Sequence, residues 1–362
     1  MSQAGSTGMA TVLDVARLAG VSMATAARAL GGYGSVSEDT RGRVRVAAAE
    51  LGYRPNGLAR SMITGLTHSI GVVLADIENP FFYGVLQGIT DTARRRGFDL
   101  LLANTDEDPE NERAAIAALV ERRVEGLVLC TADGQSTEHL RALIGSGMPT
   151  VLLDRPIRGL KVDSVGLDNR AAAKEVTSFL LGLGHQRIAI VTGGPSEIQP
   201  RLRRPGMKGV ERLGNTTFPL RAAGFRDAML AAGVQPEAEY LVANGFHRAD
   251  AEQATYTLMA LPEPPTAIIA FDSVLALVVI LAVRRLGLRC PDDLSVVGFD
   301  DAEWAEVVSP PLTVVRQPVY DIGVQACQLL LDRTRSPERA LSRRRLQGTL
   351  IERGSTARWS GS

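Results

Sequence analysis

The chain has 362 residues, with 40 lysines and arginines against 40 aspartates and glutamates, and 45% of its residues are apolar. This length and apolar content suffice for two or three folded units and exclude a disordered chain. The most apolar long run, residues 267–283, contains Asp272, so we interpret it as a strand and a buried helix rather than as a membrane span. Three cysteines lack metal-ligand spacing and no signal peptide precedes the N-terminal segment, which predicts a reduced, cytoplasmic protein without metal or cofactor: Cys130, Cys290 and Cys327.

Two short helices joined by a tight turn are predicted at the N-terminal end. Thr11 followed by Asp14 is a helix-start signature, Gly20 is suited to end that helix, and Ser22 is suited to cap the next one. Exposed residues at the start of a helix, beside an arginine, are typical of a recognition helix that contacts base edges in the major groove. The outward residues here are Met23, Ala24, Thr25 and Arg28. An alanine-rich helical hairpin without a partner is the alternative.

A third helix is predicted from Ser37 to about Leu51. Between residues 9 and 60 there are seven arginines, no lysine and four carboxylates, a surplus of three positive charges in a neutral chain. A locally basic head favours contact with phosphates, although many solvated surfaces carry as much charge.

From His68 onward, short apolar runs alternate with helical stretches, a pattern that predicts parallel, doubly wound sheets. The predicted strands are 70–75, 100–104, 126–130, 150–153, 188–192, 240–242, 267–270 and 294–297. Helices are predicted to begin near residues 81, 109, 137, 170, 220, 249 and 273. Because eight or more such units exceed one sheet, we expect two α/β lobes with a ligand crevice at the carboxyl ends of the strands.

Signatures of catalysis are missing from the sequence. It contains no nucleophile elbow, no P-loop and no dinucleotide fingerprint. The Asp300–Asp301 pair is expected to cap a turn rather than bind a metal. Surface or core roles are expected for each of the four histidines, which are His68, His139, His185 and His247. We therefore predict a protein that is not an enzyme.

Three motifs resemble the head and hinge of the lactose-repressor (LacI/GalR) family of bacterial transcription regulators. They are D-V-A-x-x-A-G-V-S-x-x-T at 14–25, V-S-x-x-T-R at 36–41 and L-G-Y-R-P-N-x-x-A-R-S at 51–61. The resemblance continues over nearly the whole chain, through I-G-V-V at 70–73, N-P-F-F at 79–82, L-L-A-N-T-D at 101–106, P-T-A-I at 265–268, V-V-G-F-D-D at 296–301 and I-E-R-G-S-T at 351–356.

This resemblance implies a small all-α helix-turn-helix head at 9–55, a hinge helix or linker at 56–67, and a two-lobed, periplasmic-binding-protein-like α/β domain at 68–356. The first lobe would contain about 68–165 and 294–320, and the second about 166–293 and 321–356, with crossings near residues 165, 293 and 320. The implied function is a ligand-responsive repressor. It would act in the cytoplasm as a homodimer, bind a palindromic double-stranded operator, associate with the nucleoid when bound to it, and sense a sugar-like effector.

The resemblance also implies the site residues. Contacts with DNA would come from Thr11, Ser22, Met23, Ala24, Thr25, Arg28, Tyr53, Asn56, Ala59 and Met62. The hinge is too short to be a stable helix alone, so Met62 is expected to become a minor-groove wedge only on DNA; a plain linker is the alternative. The ligand crevice would be lined by Asn79, Phe81, Asp154, Arg221, Phe246 and Asp272. Carboxylates and an arginine suit sugar hydroxyls and a phenylalanine suits a sugar ring, whereas core packing and helix capping are the competing roles.

Departures from the family pattern leave alternatives open. Ala27, Gly31 and Met62 stand where the family usually has serine, asparagine and leucine, and Phe271 replaces an asparagine. Residues 201–214, part of a segment longer than usual, carry five basic residues and are either a lid that selects an anionic ligand or a solvated loop. A solute-binding protein of the same fold and an α/β enzyme are the rival functions. The effector, the operator and the direction of the response are left open.

Overall fold

The computed structural model describes residues 10–53, 66–132, 137–193, 207, 209–210, 217–243 and 248–360. The chain divides into two compact units, Met1–His68 and Ser69–Ser362. No helix in these ranges combines the length and the apolar character needed to cross a membrane.

The described residues of the first unit form three helices, α1 Val12–Ala19, α2 Met23–Gly31 and α3 Glu38–Glu50. Their starts follow the local sequence. The backbone N–H of Thr11 donates to Asp14 at 2.9 Å, and the N–H of Asp14 donates back to the Thr11 hydroxyl at 3.4 Å. Ser22 accepts from the N–H of Thr25 at 3.1 Å. Small buried side chains let the three helices approach closely: Val15, Ala16, Ala19, Ala26, Ala29, Val44, Ala47 and Ala48.

In the second unit the described residues form two six-stranded sheets, each of which belongs to one lobe. In the first lobe the strands lie in the order β11-β5-β4-β3-β1-β2, and all of them are parallel. These strands are β1 Ser69–Leu74, β2 Asp99–Asn104, β3 Leu127–Leu129, β4 Thr150–Leu153, β5 Asp163–Leu167 and β11 Arg343–Leu346. The helices of this lobe are α4 Pro80–Arg95, α5 Pro109–Glu121, α6 Glu138–Gly145 and α12 Val319–Arg335.

In the second lobe the order is β12-β10-β9-β8-β6-β7, and β12 is antiparallel to β10 whereas the other neighbours are parallel. The strands are β6 Ile188–Thr192, β7 Leu241–Ala243, β8 Ala267–Ala270, β9 Ser295–Phe299, β10 Thr313–Arg316 and β12 Thr349–Ile351. The helices are α7 Asn169–Gly182, α8 Phe218–Ala231, α9 Arg248–Met259, α10 Ser273–Arg285 and the short α11 Trp304–Val307, with a 3₁₀ turn at Ala238–Tyr240.

The structure corrects the predicted exchange of segments between the lobes. Residues 294–320 were expected in the first lobe, but β9 pairs with β8 and β10 pairs with β9, so both strands belong to the second sheet. Residues 321–356 were expected in the second lobe, but most of α12 and all of β11 belong to the first. The physical reason is burial: Ile322, Ala326 and Leu330 of α12 pack into the first core. The chain crosses between lobes near residues 168, 317 and 347.

One close helix pair anchors α12 to the first lobe. The backbones of α4 and α12 come so near that a Cβ atom at Gly323 would overlap the carbonyl oxygen of Val85. Gly88 on the facing helix is equally confined, because its Cβ would overlap the carbonyl oxygen of Tyr320. In the second lobe, a Cβ atom at Gly224 of α8 would overlap the carbonyl oxygen of Arg170 on α7. Glycine therefore sets the spacing of one helix pair in each lobe.

Replacing Gly323 by alanine is expected to destabilise the second unit by about 1–3 kcal/mol, because a backbone must move to make room. Gly145 ends α6 with nothing within 4 Å of its would-be Cβ, so Gly145→Ala is the matched control. That control should be neutral or stabilising by up to about 1 kcal/mol. Urea unfolding of the full chain measures both variants, and equal midpoints would contradict the packing argument.

Candidate functional site

The outer surface of α2 carries the predicted base-contacting side chains. Met23 is 54% exposed, Ala24 and Arg28 are exposed, and Thr25 is half-buried. Arg28 lies along its own helix, with Nε donating to the carbonyl of Ala24 at 3.2 Å. Three other predicted DNA contacts have structural roles as well: Thr11 and Ser22 cap helices, and the half-buried Tyr53 packs against the core of the head.

Part of the predicted site lies outside the described residues. Asn56, Ala59 and Met62 of the hinge and Phe246 of the crevice belong to this group. So does most of the 201–214 segment. Two of its described residues, Met207 and Val210, are buried in the core of the second lobe, which a fully solvated loop would not provide.

A cavity of about 170 Å³ lies where strands of both lobes end. Five of the six residues predicted for the crevice line it, which are Asn79, Phe81, Asp154, Arg221 and Asp272. Sequence reasoning missed the other described lining residues, among them Asp76, Glu107, Arg155, Phe271, Asp300 and Gln317. Most of these follow directly after a strand, so a search for polar residues just beyond strand ends would have found them.

Arg221 of α8 is a buried charged group of the cavity. It is 5% exposed; its Nε donates to Asn169 Oδ1 at 2.7 Å, and Nη1 donates to the carbonyl of Phe271. Its guanidinium carbon lies 4.3 Å from the centre of the Phe299 ring. Burial lowers the pKa of Arg221, while the nearby carboxylates of the cavity oppose this effect, so the charge is retained.

Asp272 connects the two lobes directly. Its Oδ1 caps α10 by accepting from the N–H groups of Val274 and Leu275 at 2.8 and 3.3 Å. Its Oδ2 accepts from Nδ2 of Asn79, in the first lobe, at 2.9 Å. Asn79 in turn caps α4 by accepting from the N–H of Phe81 at 3.0 Å. Asp272 therefore has two roles: it caps α10, which was the competing role, and it contacts the other lobe.

Two further carboxyl groups, Asp154 after β4 and Asp300 after β9, are held in the left-handed backbone region, with φ of 62° and 66°. They are 9% and 7% exposed. Burial raises the pKa of both, and it raises that of Asp300 to about 7 even though Arg221 works against the shift. Gln317 Nε2 donates to Asp300 Oδ1 at 2.6 Å. Strained, desolvated carboxyls of this kind are typical of binding sites.

An ion pair between Arg155 and Glu107 lines the cavity on the side of the first lobe. Arg155 binds Glu107 in a bidentate manner, with Nη1 and Nη2 donating at 2.6 and 2.5 Å, and Nη1 also donates to the carbonyl of Thr131 at 2.9 Å. The described part of the lining thus has five carboxyl side chains, from Asp76, Glu107, Asp154, Asp272 and Asp300, against two guanidinium groups.

The cavity therefore offers more acceptors than donors. Asp154 Oδ1 and Gln317 Oε1 are buried and have no hydrogen-bond partner within the described ranges. A ligand that donates hydrogen bonds, such as a polyol, would satisfy both oxygens. Among the described residues, no group of three or more histidine, cysteine, aspartate or glutamate side chains is arranged to hold a metal ion.

The chain has a helical head with an exposed recognition helix, followed by two α/β lobes with mostly parallel sheets and a polar cavity. This combination defines the class of ligand-responsive bacterial transcription regulators. Two family models agree: one described as bacterial regulatory proteins, lacI family, matches residues 11–56, and one described as a periplasmic binding protein-like domain matches residues 177–356.

Whole-length relatives agree as well. The chain is 33% identical to the HTH-type transcriptional regulator KdgR of Bacillus subtilis (strain 168) over 354 residues, covering 96% of this chain and 98% of the relative. It is also 33% identical to the ribose operon repressor of Escherichia coli (strain K12), covering 96% of this chain and 100% of the relative. The chain belongs to the lacI family of bacterial regulatory proteins, and it is a transcription regulator, not an enzyme, as the sequence predicted.

Solved structures show the same fold. The lac repressor dimer bound to operator and the anti-inducer ONPF aligns with a TM-score of 0.80 and 26% identity, covering 97% of this chain and 100% of that one. A transcriptional regulator CelR–cellobiose complex aligns with a TM-score of 0.70 and 28% identity, covering 96% and 99%. The predicted fold class is confirmed.

Replacing Arg221 by methionine is expected to destabilise the second unit by about 3–5 kcal/mol near neutral pH, because buried carboxylates lose their countercharge. The folded state keeps protons on Asp154 and Asp300 at pH values where the unfolded chain, with aspartate pKa near 3.9, has lost them. The free energy of unfolding contributed by Asp300 therefore falls as pH rises from about 4 to about 7, and the raised pKa of Asp154 acts in the same direction. Without Arg221 both pKa values rise further, so the loss of stability caused by Arg221→Met should be larger at pH 8 than at pH 5.5. Calorimetric melting at both pH values tests this, and an equal loss would contradict it.

Proposed function

We propose that the protein binds a palindromic operator as a homodimer and that a neutral, sugar-like effector in the cavity changes its operator affinity. Two-fold symmetry of a dimer demands two matching half-sites, each read by one α2 helix. The proposed division of labour is a DNA-binding head at 9–55, a hinge at 56–67 and a ligand-binding and dimerisation domain at 68–356. We further propose that the protein acts in the cytoplasm and associates with the nucleoid when bound to its operator.

The observation that carries the effector proposal is the Asn79–Asp272 hydrogen bond. Both partners line the cavity, and each belongs to a different lobe. A ligand that binds between them changes the contact that joins the lobes, so ligand occupancy and lobe arrangement are energetically linked. A solute-binding protein of the same fold would have such a link as well. The lacI-type head at residues 11–56 is the feature that favours a regulator over that rival function.

The chemistry of the cavity supports a neutral sugar as the effector. Buried acceptors on Asp154 and Gln317 match hydroxyl donors, and Phe81 and Phe271 offer apolar faces for a ring. Two similar proteins, each 28% identical to this chain, have bound sugars in their structures: the CelR–cellobiose complex and a LacI family regulator of Enterococcus faecium with bound ribose. Among the described lining residues, carboxylates outnumber guanidinium groups, which favours a neutral ligand over an anionic one.

For the head, we propose that Met23, Ala24, Thr25 and Arg28 contact base edges and that Thr11, Ser22 and Tyr53 lie at the phosphate backbone. In the hinge, Asn56, Ala59 and Met62 are proposed to reach the minor groove when operator DNA orders that segment. Asn79, Phe81, Asp154, Arg221, Phe246 and Asp272 are the proposed effector contacts.

Replacing Arg28 by alanine is expected to weaken operator binding by about 1–3 kcal/mol, roughly 5- to 150-fold in Kd, and to relax preference at one guanine in each half-site. The reason is the bidentate fit of a guanidinium to guanine O6 and N7. The operator is first selected from random DNA with the purified parent protein, and Kd values are then measured by gel shift. Met23→Ala, which removes only an apolar contact, is the control and should cost less. An Arg28→Ala variant with unchanged base preference would contradict the proposal.

Asp272→Ala is expected to abolish the effector response, because it removes a cavity carboxylate and the acceptor for Asn79. Asp108→Ala is a matched control: Asp108 caps α5 as Asp272 caps α10, but it lies outside the cavity lining. Both variants should lose about 1 kcal/mol of stability from the lost cap. A thermal-shift screen of sugars, sugar acids, sugar phosphates and nucleosides on the parent identifies a stabilising ligand. Retention of the full shift by Asp272→Ala would contradict the site.

A further inference from the structure

The strand β11 lies at one edge of the first sheet, with β5 on its inner side. The carbonyls of Ser342 and Leu346 accept backbone hydrogen bonds from the β5 side, at 3.0 and 2.8 Å. Peptide groups alternate in direction along a strand, so those of Arg343 and Arg345 point away from β5. β11 therefore presents backbone donors and acceptors on its outer side that no described strand uses.

The side chains of β11 alternate as well, and its two exposed ones are arginines. Leu346 packs against the core of the first lobe, and Arg344 Nη1 donates to Gln325 of α12 at 3.3 Å, so these two side chains lie on the α12 side of the sheet. Arg343 and Arg345 are exposed and lie on the opposite face. Each outward peptide group thus belongs to a residue with an exposed guanidinium.

Positive charge collects along this edge although the whole chain is neutral. Residues 332–345 contain six arginines and two carboxylates. Arg333 and Arg339 are paired with aspartates, at 2.9 and 3.4 Å. The arginines of β11 bind neutral groups instead; Arg343, for example, donates to the carbonyl of Leu160 at 3.2 Å. Among the described residues, no carboxylate lies within 4 Å of a guanidinium of β11. The edge therefore carries positive charge that is not neutralised by ion pairs.

We propose that β11 is a docking edge for an extended segment of a partner protein that has acidic side chains at every second position. Such a segment continues the first sheet by bonding to the outward peptide groups of Arg343 and Arg345. Side chains directly opposite each other on neighbouring strands share one face of the sheet, so carboxylates at positions i and i+2 meet the two guanidinium groups. Bidentate pairing of carboxylate with guanidinium adds specificity.

The charge of β11 determines which occupant fits. Arginine on an edge strand keeps a second copy of β11 away, because an antiparallel two-fold pair would place arginines opposite arginines. A neutral strand offers no countercharge to offset the desolvation of two guanidinium groups. The phosphates of DNA match the charge, but they repel the outward carbonyl groups. An acidic polypeptide in extended conformation matches both the side chains and the backbone.

The side-chain part of the proposal is tested by fluorescence anisotropy on the full-length protein. The probe is a short labelled peptide in which glutamate and threonine alternate. We expect saturable binding at low salt that weakens by about tenfold or more in the double variant Arg343→Glu/Arg345→Glu. The matched control is Arg96→Glu/Arg122→Glu, which changes net charge equally at two exposed arginines elsewhere in the first lobe. The control should bind the peptide as the parent protein does.

The backbone part is tested on the parent protein with two altered peptides. One carries N-methyl groups on the glutamate nitrogens and the other carries them on the threonine nitrogens. In an added strand one of these two sets of N–H groups faces β11 and the other faces solvent. We therefore expect one methylated peptide to bind about tenfold more weakly than the unmodified peptide and the other to bind as before.

Three results would overturn the proposal. They are a parent protein that does not bind the peptide, equal affinities of the parent and the Arg343→Glu/Arg345→Glu variant, and equal affinities of the two methylated peptides. If that variant instead loses affinity for duplex DNA of random sequence and the Arg96→Glu/Arg122→Glu control does not, the edge contacts nucleic acid and the proposal is overturned as well. None of these outcomes bears on the effector, because no sugar enters the experiments.

Discussion

The buried guanidinium of Arg221 is the interaction on which the arrangement of the cavity depends. Three carboxyls from different parts of the fold, Asp154, Asp272 and Asp300, interact with this one cation, and Asp154 and Asp300 are buried. Its orientation is fixed by Asn169, by the carbonyl of Phe271 and by the face of Phe299. A guanidinium suits this role because its planar N–H groups are donors in fixed directions and its charge is kept even when buried. The cavity walls can therefore carry more carboxyl groups than cations without unfolding the site.

The contact between Asn79 and Asp272 explains how ligand binding in the cavity changes the arrangement of the two lobes. Asn79 and Asp272 each cap a helix and also bond to one another across the lobes. A change at this contact moves helix ends rather than flexible loops, and the close glycine-mediated pairing of α4 with α12 extends the rigid body on the side of the first lobe. Polar contacts at the junction and close packing within each lobe are the combination that lets two lobes move as units.

Local signals in the sequence predicted much of this fold. The strands Thr150–Leu153, Ile188–Thr192 and Ala267–Ala270 coincide with their predicted ranges, because each is a short apolar run between helical stretches. β11 was not predicted, since Arg343–Leu346 is mostly arginine and gains its place by pairing with β5. The assignment of β9 and α12 to the wrong lobes came from the family resemblance. It is decided by the pairing of β9 with β8 and by the packing of α12 into the first core, which no local pattern in the sequence specifies. At the cavity, Asn79 and Asp272 carry a local capping signal, whereas Glu107, Asp300 and Gln317 acquire their roles only through contacts distant in sequence.

We propose above all that the cavity and the head are thermodynamically coupled in a dimeric regulator. The most direct measurement is the equilibrium affinity of the full-length protein for its selected operator across a concentration series of the ligand that stabilises it. We predict two chains per operator and an operator affinity that changes by about 5- to 150-fold, with an equal change in ligand affinity when operator is bound. A ligand that saturates the cavity while the operator affinity stays constant would contradict the claim.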